Sequence, residues 1–313
     1  MIRLTTKVII GAYAFEGVTN IEIESSWENL TDTCKITIPR RLSWAEKDIT
    51  QIIKRGDKIK VYIGYGGVNN LVFQGFIRDF DTQIPIVVTC EDAMFLLKKG
   101  NQNRSYKTVN TEQLIKDMVG SIMPFEVVAN AGLGNYKVKN ATAAKVLEHL
   151  RSHYFIKSFC RAGKLYVGLA YIAKLQRVHN FYFNTESIID HSLQFKLKDD
   201  VRLSLKGIIM YADNKKKEVP VGDDDGEQRT FHYYNRPESE VKKSLEAHLE
   251  RLKYTGYYGS FVAFGLPQVN HGDIVNLKDD KYFERNGKYL VKKVSSTFGF
   301  GGYRQTIELE AKA

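Results

Sequence analysis

His149 and His153 stand four residues apart in EHLRSH, a spacing that puts two imidazoles on one helix face where they could share a metal ion. A zinc hydrolase would also need a glutamate directly after the first histidine as general base, and here Leu150 follows it. The pair therefore reads as two ordinary helix-surface histidines. GDDDGE at 222–227 is dense in carboxylates, but a calcium loop needs alternating ligands and a distant bidentate glutamate. This compact run has neither and reads as a solvated loop. Arg55-Gly56-Asp57 matches an adhesion tripeptide, yet turn chemistry ahead of a strand already accounts for it. The glycine runs GYGG at 64–67 and TFGFGG at 297–302 neither open into a helix carrying Gly-Lys-Ser/Thr nor complete a dinucleotide-binding pattern, so they are β-turns. The cysteines, Cys34, Cys90 and Cys160, are odd in number, widely spaced and form no CxxC. They fit small buried hydrophobes in a reducing compartment. No nucleophile elbow stands out, although two carboxylates distant in sequence could still meet in space, as in a glycosidase. No catalytic, cofactor-binding or metal-ligating residue is assigned, and the expectation is a non-enzyme without a cofactor.

The elements that would position any such group are mostly strands. Apolar residues make up 43% of the 313 residues, enough for a sizeable core, and Tyr and Phe (18 and 17) against only 6 Pro lean toward strands. Residues 1–97 alternate: TDTCKITIP sends Cys34, Ile36 and Ile38 inward, and DKIKVYIGYGG is a second clean alternation ended by a Gly-Gly turn. The N-terminus predicts a β-hairpin turning at 17–20 and is too short and interrupted for a cleaved signal. No run approaches the roughly 20 apolar residues of a membrane span, so a soluble protein made in the cytoplasm is expected. Residues 98–180 change character. Leu114, Ile115, Met118 and Val119 share one helical face with Asn110 or Thr111 as N-cap, and Val146, Leu147, Leu150 and Tyr154 mark a second helix. A hairpin then turns at Ala162-Gly163. Residues 181–313 return to strands, with NKKKEVPVGDDDGEQ read as a polar loop. One long helix near 237–253 has Pro237 in its first turn, Val241, Leu245, Leu249 and Leu252 on one face, and Gly256 as its stop.

Two stretches repeat an order. RGDKIKVYIG from Arg55 and HGDIVNLKDD from His271 each place Gly-Asp before an alternating strand, followed by turn, strand, turn, strand. The fold class this predicts is mixed α+β and β-dominated: two similar β-barrel domains of tube type (1–97 and 181–313) with a small α+β domain (98–180) inserted between them. A Gly-Asp turn before a strand is also common on its own account, because Gly takes positive φ and Asp bonds its own backbone.

SSWENLTDTCKITIPR, RGDKIKVYIGYGG, LVFQGFIRDFD, PIVVTCEDAMFLLK and HGDIVNLKDDKYFERNGKYLVKKVSSTFGFGGYRQTIELEAK together resemble the baseplate hub proteins of phage tails. That superfamily takes in the late-control D proteins and the N-terminal hub region of type VI secretion spike proteins. The resemblance implies a virion structural protein that forms a homotrimer. Two barrels per chain give six equivalent units that match a six-fold tail tube. Expected partners are the tail tube protein, a central spike protein and other baseplate proteins, with DNA only as passing cargo and no membrane insertion by this chain. The sequence ends at Ala313 without a needle, so the spike would be a separate protein. The localisation implied is the tail baseplate of a virion or phage-like particle. The formal charge of +10 is spread along the chain in lysine pairs and a triplet (Lys98-Lys99, Lys215 to Lys217, Lys242-Lys243, Lys292-Lys293) and is expected on outer or docking faces. Two other readings stay open: an OB-like nucleic-acid- or glycan-binding module, and a tail-associated cell-wall hydrolase.

Overall fold

A computed structural model of the chain describes residues 3–39, 52–81, 83, 85–154, 156–183, 185, 187–211, 215–234 and 236–313. Strand makes up 52% and helix 17%, so the chain is β-dominated, as its alternating segments predict. The first β region contains β1 (Leu4–Ile10), β2 (Tyr13–Phe15), β3 (Asn20–Ser26), β4 (Thr33–Ile38), β5 (Lys58–Tyr65), β6 (Val68–Asp81) and β7 (Ile86–Glu91), hydrogen-bonded in the order β3-β4-β7-β6-β5-β1-β2. The two-residue period sends Cys34, Ile36 and Ile38 of β4 and Ile59, Val61 and Ile63 of β5 into one core. Each such side chain stabilises the fold by about 1.5–3 kcal/mol through burial. The N-terminal hairpin turns at Gly11-Ala12, pairing β1 with β2, and not at 17–20. The other edge of β1 is taken by β5 over seven residues, so β3 is free to pair elsewhere.

The middle of the chain folds as α1 (Met94–Leu97), β8 (Gln102–Asn110), α2 (Thr111–Val119), β9 (Phe125–Val127), β10 (Gly132–Ala141), α3 (Ala143–Tyr154), β11 (Lys157–Arg161) and β12 (Lys164–Gly168). Asn110 caps α2, its side chain accepting from the Gln113 N–H at 2.8 Å. Leu114, Ile115, Met118 and Val119 of α2 and Val146, Leu147 and Leu150 of α3 are buried in a shared core, as their spacing predicts. The β11–β12 hairpin turns at Ala162 and Gly163, both at positive φ.

The last region comprises β13 (Val178–Tyr182), β14 (Asp190–His191), β15 (Gln194–Lys196), β16 (Leu203–Met210), β17 (Lys216–Gly222), β18 (Glu227–Tyr234), α4 (Glu238–Leu252), β19 (Gly256–Tyr258), β20 (Ser260–Phe264), β21 (Ile274–Lys278), β22 (Gly287–Gly299) and β23 (Gly302–Lys312). Val241, Leu245 and Leu252 of α4 pack on the small sheet β17-β16-β18 through Leu205, Ile209 and Val219. Seven of the fifteen residues read as a polar loop are therefore β17. Its Val219 is buried, and Pro220 is tolerated because β17 is an edge strand with no partner on its outer side among the described residues. Gly256 does not stop the helix, which ends at Leu252. It lies against Tyr289, whose hydroxyl would be 2.8 Å from an added Cβ.

The repeat is real at the level of hydrogen bonds. In the first copy Gly56 N–H donates to Ile77 O (2.8 Å) and Ile77 N–H to Asp57 O (2.9 Å); in the second, Gly272 N–H donates to Val291 O (2.7 Å) and Val291 N–H to Asp273 O (2.9 Å). Each aspartate N–H donates to the carbonyl three residues back, Lys54 or Asn270, and each carboxylate accepts that same residue's N–H, at 2.8 and 2.9 Å. The strand orders correspond too: β3-β4-β7-β6-β5-β1 against β14-β20-β23-β22-β21-β13. They differ at the last strand, where β1 runs antiparallel to β5 but β13 runs parallel to β21. Gly56 and Gly272 have φ of +92° and +84°, and an added Cβ would meet nothing closer than 3.5 Å, so substitution strains only the backbone. Gly56→Ala and Gly272→Ala are each expected to cost about 1–2 kcal/mol, read as matching drops in urea midpoint. A neutral change at one turn and not the other would break the equivalence.

Residues 293–298 of β22 pair with β23 on one side and with residues 21–26 of β3 on the other. This splice joins both copies into one 13-stranded sheet. Tyr303 of β23, 1% exposed, sits in the core of the first copy. The strands are those a pair of barrels needs, but among the described residues their ladder stays open. The reason is that β3, which would have to close the first copy, is occupied by β22.

Candidate functional site

Where the two copies and the middle region meet, a cleft of about 330 Å³ is lined by Asp32, Asp92, Arg161, Arg177, Asn270 and His271, among others. The β4–β7 ladder sets the first pair. Cys34 faces Cys90 and Thr33 faces Glu91, and the Asp92 N–H then donates to Asp32 O at 3.0 Å, leaving the two aspartates opposite one another. Asp32 accepts from Ser25 Oγ (2.6 Å) and the Ser26 N–H (3.2 Å), while Asp92 accepts from the Met94 N–H (3.0 Å) at the start of α1. Arg161, at the β11–β12 turn, reaches in from the middle region and donates to the His271 carbonyl. The Gly-Asp turn of the second copy brings Asp273, whose carboxylate accepts from Asn270 N–H, Arg177 N–H (3.2 Å) and His179 Nε2 (3.1 Å). The His271 ring stands edge-on to Phe159, with centroids 4.9 Å apart.

Burial dominates the electrostatics. It pushes the Asp32 carboxyl up to about 6 against the pull of its serine hydrogen bonds and of Arg161. Asp92 is raised well above the carboxylate range, first by burial and then by the neighbouring Asp32. His271 is pushed down to about 3 by burial and by the Arg161 charge, so it is neutral at physiological pH. Burial alone would raise Asp273, but the bonds from His179, Asn270 and Arg177, and the Arg161 charge, hold it below its ordinary value. The His271 Nδ1 is buried without a hydrogen-bond partner among the described residues. Two adjacent carboxyls could in principle divide acid and base roles. Here one is tied to the serines at the end of β3 and the other accepts from the Met94 N–H, and Arg161 lies within electrostatic reach of both copies. The arrangement is a charge clamp that fixes three regions of the chain to one another. Sequence reasoning missed it, although one signal was present: an aspartate two residues before Cys34 and another two after Cys90, on strands that pair.

The residues singled out by sequence lie elsewhere. His149 and His153 stack at 4.2 Å and His149 Nδ1 bonds Tyr136 Oη at 2.9 Å. No group of three or more His, Cys, Asp or Glu that could hold a metal is found among the described residues. Two of the carboxylates at 222–227 are committed: Asp223 to Lys253 (2.7 Å) and the Leu203 N–H (3.0 Å), Asp225 to Arg202 (2.7 and 2.9 Å). Asp57 closes its own turn, and Arg55 pairs with Asp79 at the surface. Cys34, Cys90 and Cys160 are buried free thiols, with burial pushing Cys90 up to about 12 and the other two well above their ordinary value. Members of the lysine pairs form ion pairs, Lys98 with Glu91, Lys292 with Glu28 and Glu308, and Lys293 with Glu24. Among the described residues no helix is long and apolar enough to cross a membrane.

No protein-family model matches the chain, and no curated protein sequence does. Solved structures do. A tail protein from Neisseria meningitidis MC58 superposes with a TM-score of 0.68 at 13% identity, over 98% of this chain and 96% of that one. The 43 kDa tail protein of prophage MuSo2 from Shewanella oneidensis gives 0.67 at 15% identity, over 98% of each chain. The E. coli c3393 protein, a type VI secretion component described as similar to the T4 tail proteins gp27 and gp5, gives 0.60 at 10% identity, over 98% of this chain and 77% of that one. The hub-like resemblance read from the sequence is thus a likeness of fold across nearly the whole chain.

Proposed function

We propose that the chain is a structural baseplate hub protein of a phage or phage-like tail, a homotrimer of pseudo-six-fold symmetry that joins the tail tube to a central spike. The observation that carries this reading is the splice of β22 onto β3. By the matched hydrogen bonds of the two Gly-Asp turns, Ile77 corresponds to Val291, so residues 79–81 of β6 stand where 293–295 of β22 stand. By strand order, β14 stands where β3 stands. Residues 79–81 pair with β7 on one edge and β14 pairs with β20 on one edge; neither has a strand on its other edge among the described residues. Seating each β6 on the β14 of the next chain repeats the internal splice between chains. Three chains then supply six equivalent joints, and unpaired edges find the partners they otherwise lack.

On this reading residues 1–97 and 181–313 are the two tube-type domains, 98–180 is the module between them, and the function is assembly and not catalysis. The tail tube, a separate spike and other baseplate proteins are the partners, with DNA as passing cargo. The solved structures sharing the fold come from tails and a type VI secretion system, which supports this setting. Light scattering tests it. The expected mass is three times 35.8 kDa. His191→Pro, which removes the N–H that β14 turns away from β20 at an edge where a strand tolerates proline, is expected to return the mass to that of one chain with the urea midpoint unchanged. A single-chain mass for the unmodified protein at every concentration would count against the ring and make titration with single-stranded DNA the next measurement.

A further inference from the structure

A second cavity, of about 600 Å³, lies where Trp27, the segment after β12, the face of α4 and the end of β23 converge. Its walls are aromatic. The Trp27 indole N–H donates to Tyr171 Oη at 2.8 Å, with the rings edge to face at 6.1 Å, and Phe231 lines the cavity too. Four basic groups turn toward the same space. Lys157 Nζ lies 4.6 Å over the Trp27 ring and the Arg251 guanidinium 5.4 Å over Tyr171, and neither cation has an ion-pair partner among the described residues. Arg229 and His248 complete the set. His248 is pulled down first by burial and then by the charges of Arg251, Arg229 and Lys157. Two carboxylates oppose them. Glu28 is held by Lys292 at 3.1 Å. Glu310 has an Oε2 that is buried without a hydrogen-bond partner among the described residues, and burial raises its carboxyl toward the neutral form.

We propose that this cavity binds a small organic anion, a carboxylate or phosphate carried on a planar apolar body. The volume is that of a ligand site, aromatic walls with a few convergent polar groups are its usual lining, and cations without ion-pair partners supply the charge. Glu310, whose unpartnered Oε2 is buried beside the cavity, donates to the anion when its carboxyl carries a proton, the form that burial favours. The inference does not depend on how the chain assembles.

The test is titration of the full chain with four probes of one size: phenyl phosphate, benzoate, benzamide and benzylamine. Trp27 fluorescence is read in a Trp44→Phe background, since the sequence has only these two tryptophans. Both anions are expected to bind, salt-sensitively, and the tighter of them tells phosphate from carboxylate. Benzamide should be roughly tenfold weaker and benzylamine silent. Lys157→Met and Arg251→Met should each weaken anion binding by about tenfold or more, the loss of one charge-assisted contact. Glu310→Gln, a permanently neutral donor, should bind at least as well as the unmodified chain. Benzylamine binding more tightly than benzoate, loss of anion binding in Glu310→Gln, or no saturable response to either anion at millimolar concentration would overturn the proposal.

Discussion

Arg161→Met is expected to cost the folded chain about 1.5–3 kcal/mol, the range for losing a hydrogen bond made by a charged group. The side chain is half-buried, donates to the His271 carbonyl and lies within electrostatic reach of both Asp32 and Asp273. Methionine fills much of the same space, so the loss is one of charge and hydrogen bonding and not of packing. Asp32 escapes part of the penalty by taking up a proton, which makes the cost larger at pH 8 than at pH 5. Arg161→Lys should recover part of the loss, because a single ammonium cannot serve both copies as a planar fork can. Urea unfolding at the two pH values measures this. A loss below about 1 kcal/mol at pH 8, the level of an exposed ion pair, would show that Arg161 is solvated and holds nothing together.

Asp32→Asn is expected to raise stability by about 2 kcal/mol at pH 7 and to lose that advantage by pH 4. The Asp32 carboxyl titrates at about 6 in the fold against 3.8 as its ordinary value. The folded state therefore binds the proton more tightly, and between these values acidification stabilises. That gain is complete near pH 4 and is lost as pH rises through 6. Each tenfold gain in proton affinity on folding corresponds to about 1.4 kcal/mol, discounted here because Asp32 is partly open to the cleft. His271 works in the opposite sense. Held at about 3 against an ordinary 6.5, it contributes fully above about pH 6.5 and loses that contribution as pH falls toward 3. Over pH 6.5 to 4 the two oppose one another in the unmodified chain. In Asp32→Asn the Asp32 contribution is gone, and stability should fall more steeply on acidification than in the parent. Urea midpoints at pH 7 and pH 4.5 decide it. A variant less stable than the parent at pH 7 would mean that the Asp32–Arg161 attraction outweighs burial there.

The contrast between the two regions of chemistry explains what could be read in advance. His149 with His153, Asp223 with Asp225 and the Arg55-Gly56-Asp57 tripeptide were visible because their members are neighbours in sequence, and each proved to be tied up by other groups, by Tyr136, by Lys253 and Arg202, or by its own turn. The clamp around Arg161 draws on residues 32, 92, 161, 271 and 273, and no local pattern connects them. The basic cavity beside Trp27 is dispersed in the same way, from residue 27 to residue 310. β17 was missed for a different reason: its lysines and Pro220 look like a loop, and only pairing with β16 on one edge makes a strand of them.

Local physics determined a good deal. The positive φ that only glycine takes easily, followed by an aspartate bonding the residue three back, marks both turns of the repeat wherever the chain goes next. The period of two in β4 and β5 and the 3.6-residue period in α2, α3 and α4 marked which side chains are buried. Alternation identifies an apolar face, however, and says nothing about edges. Every strand edge offers the same N–H and C=O groups, so the sequence could not say that residues 293–298 would pair with β3 some 270 positions earlier, or that β3 would thereby be kept from closing its own barrel. That choice, and the buried charges it brings within reach of Arg161, belongs to the tertiary structure, because it depends on which of many chemically equivalent edges packing leaves side by side.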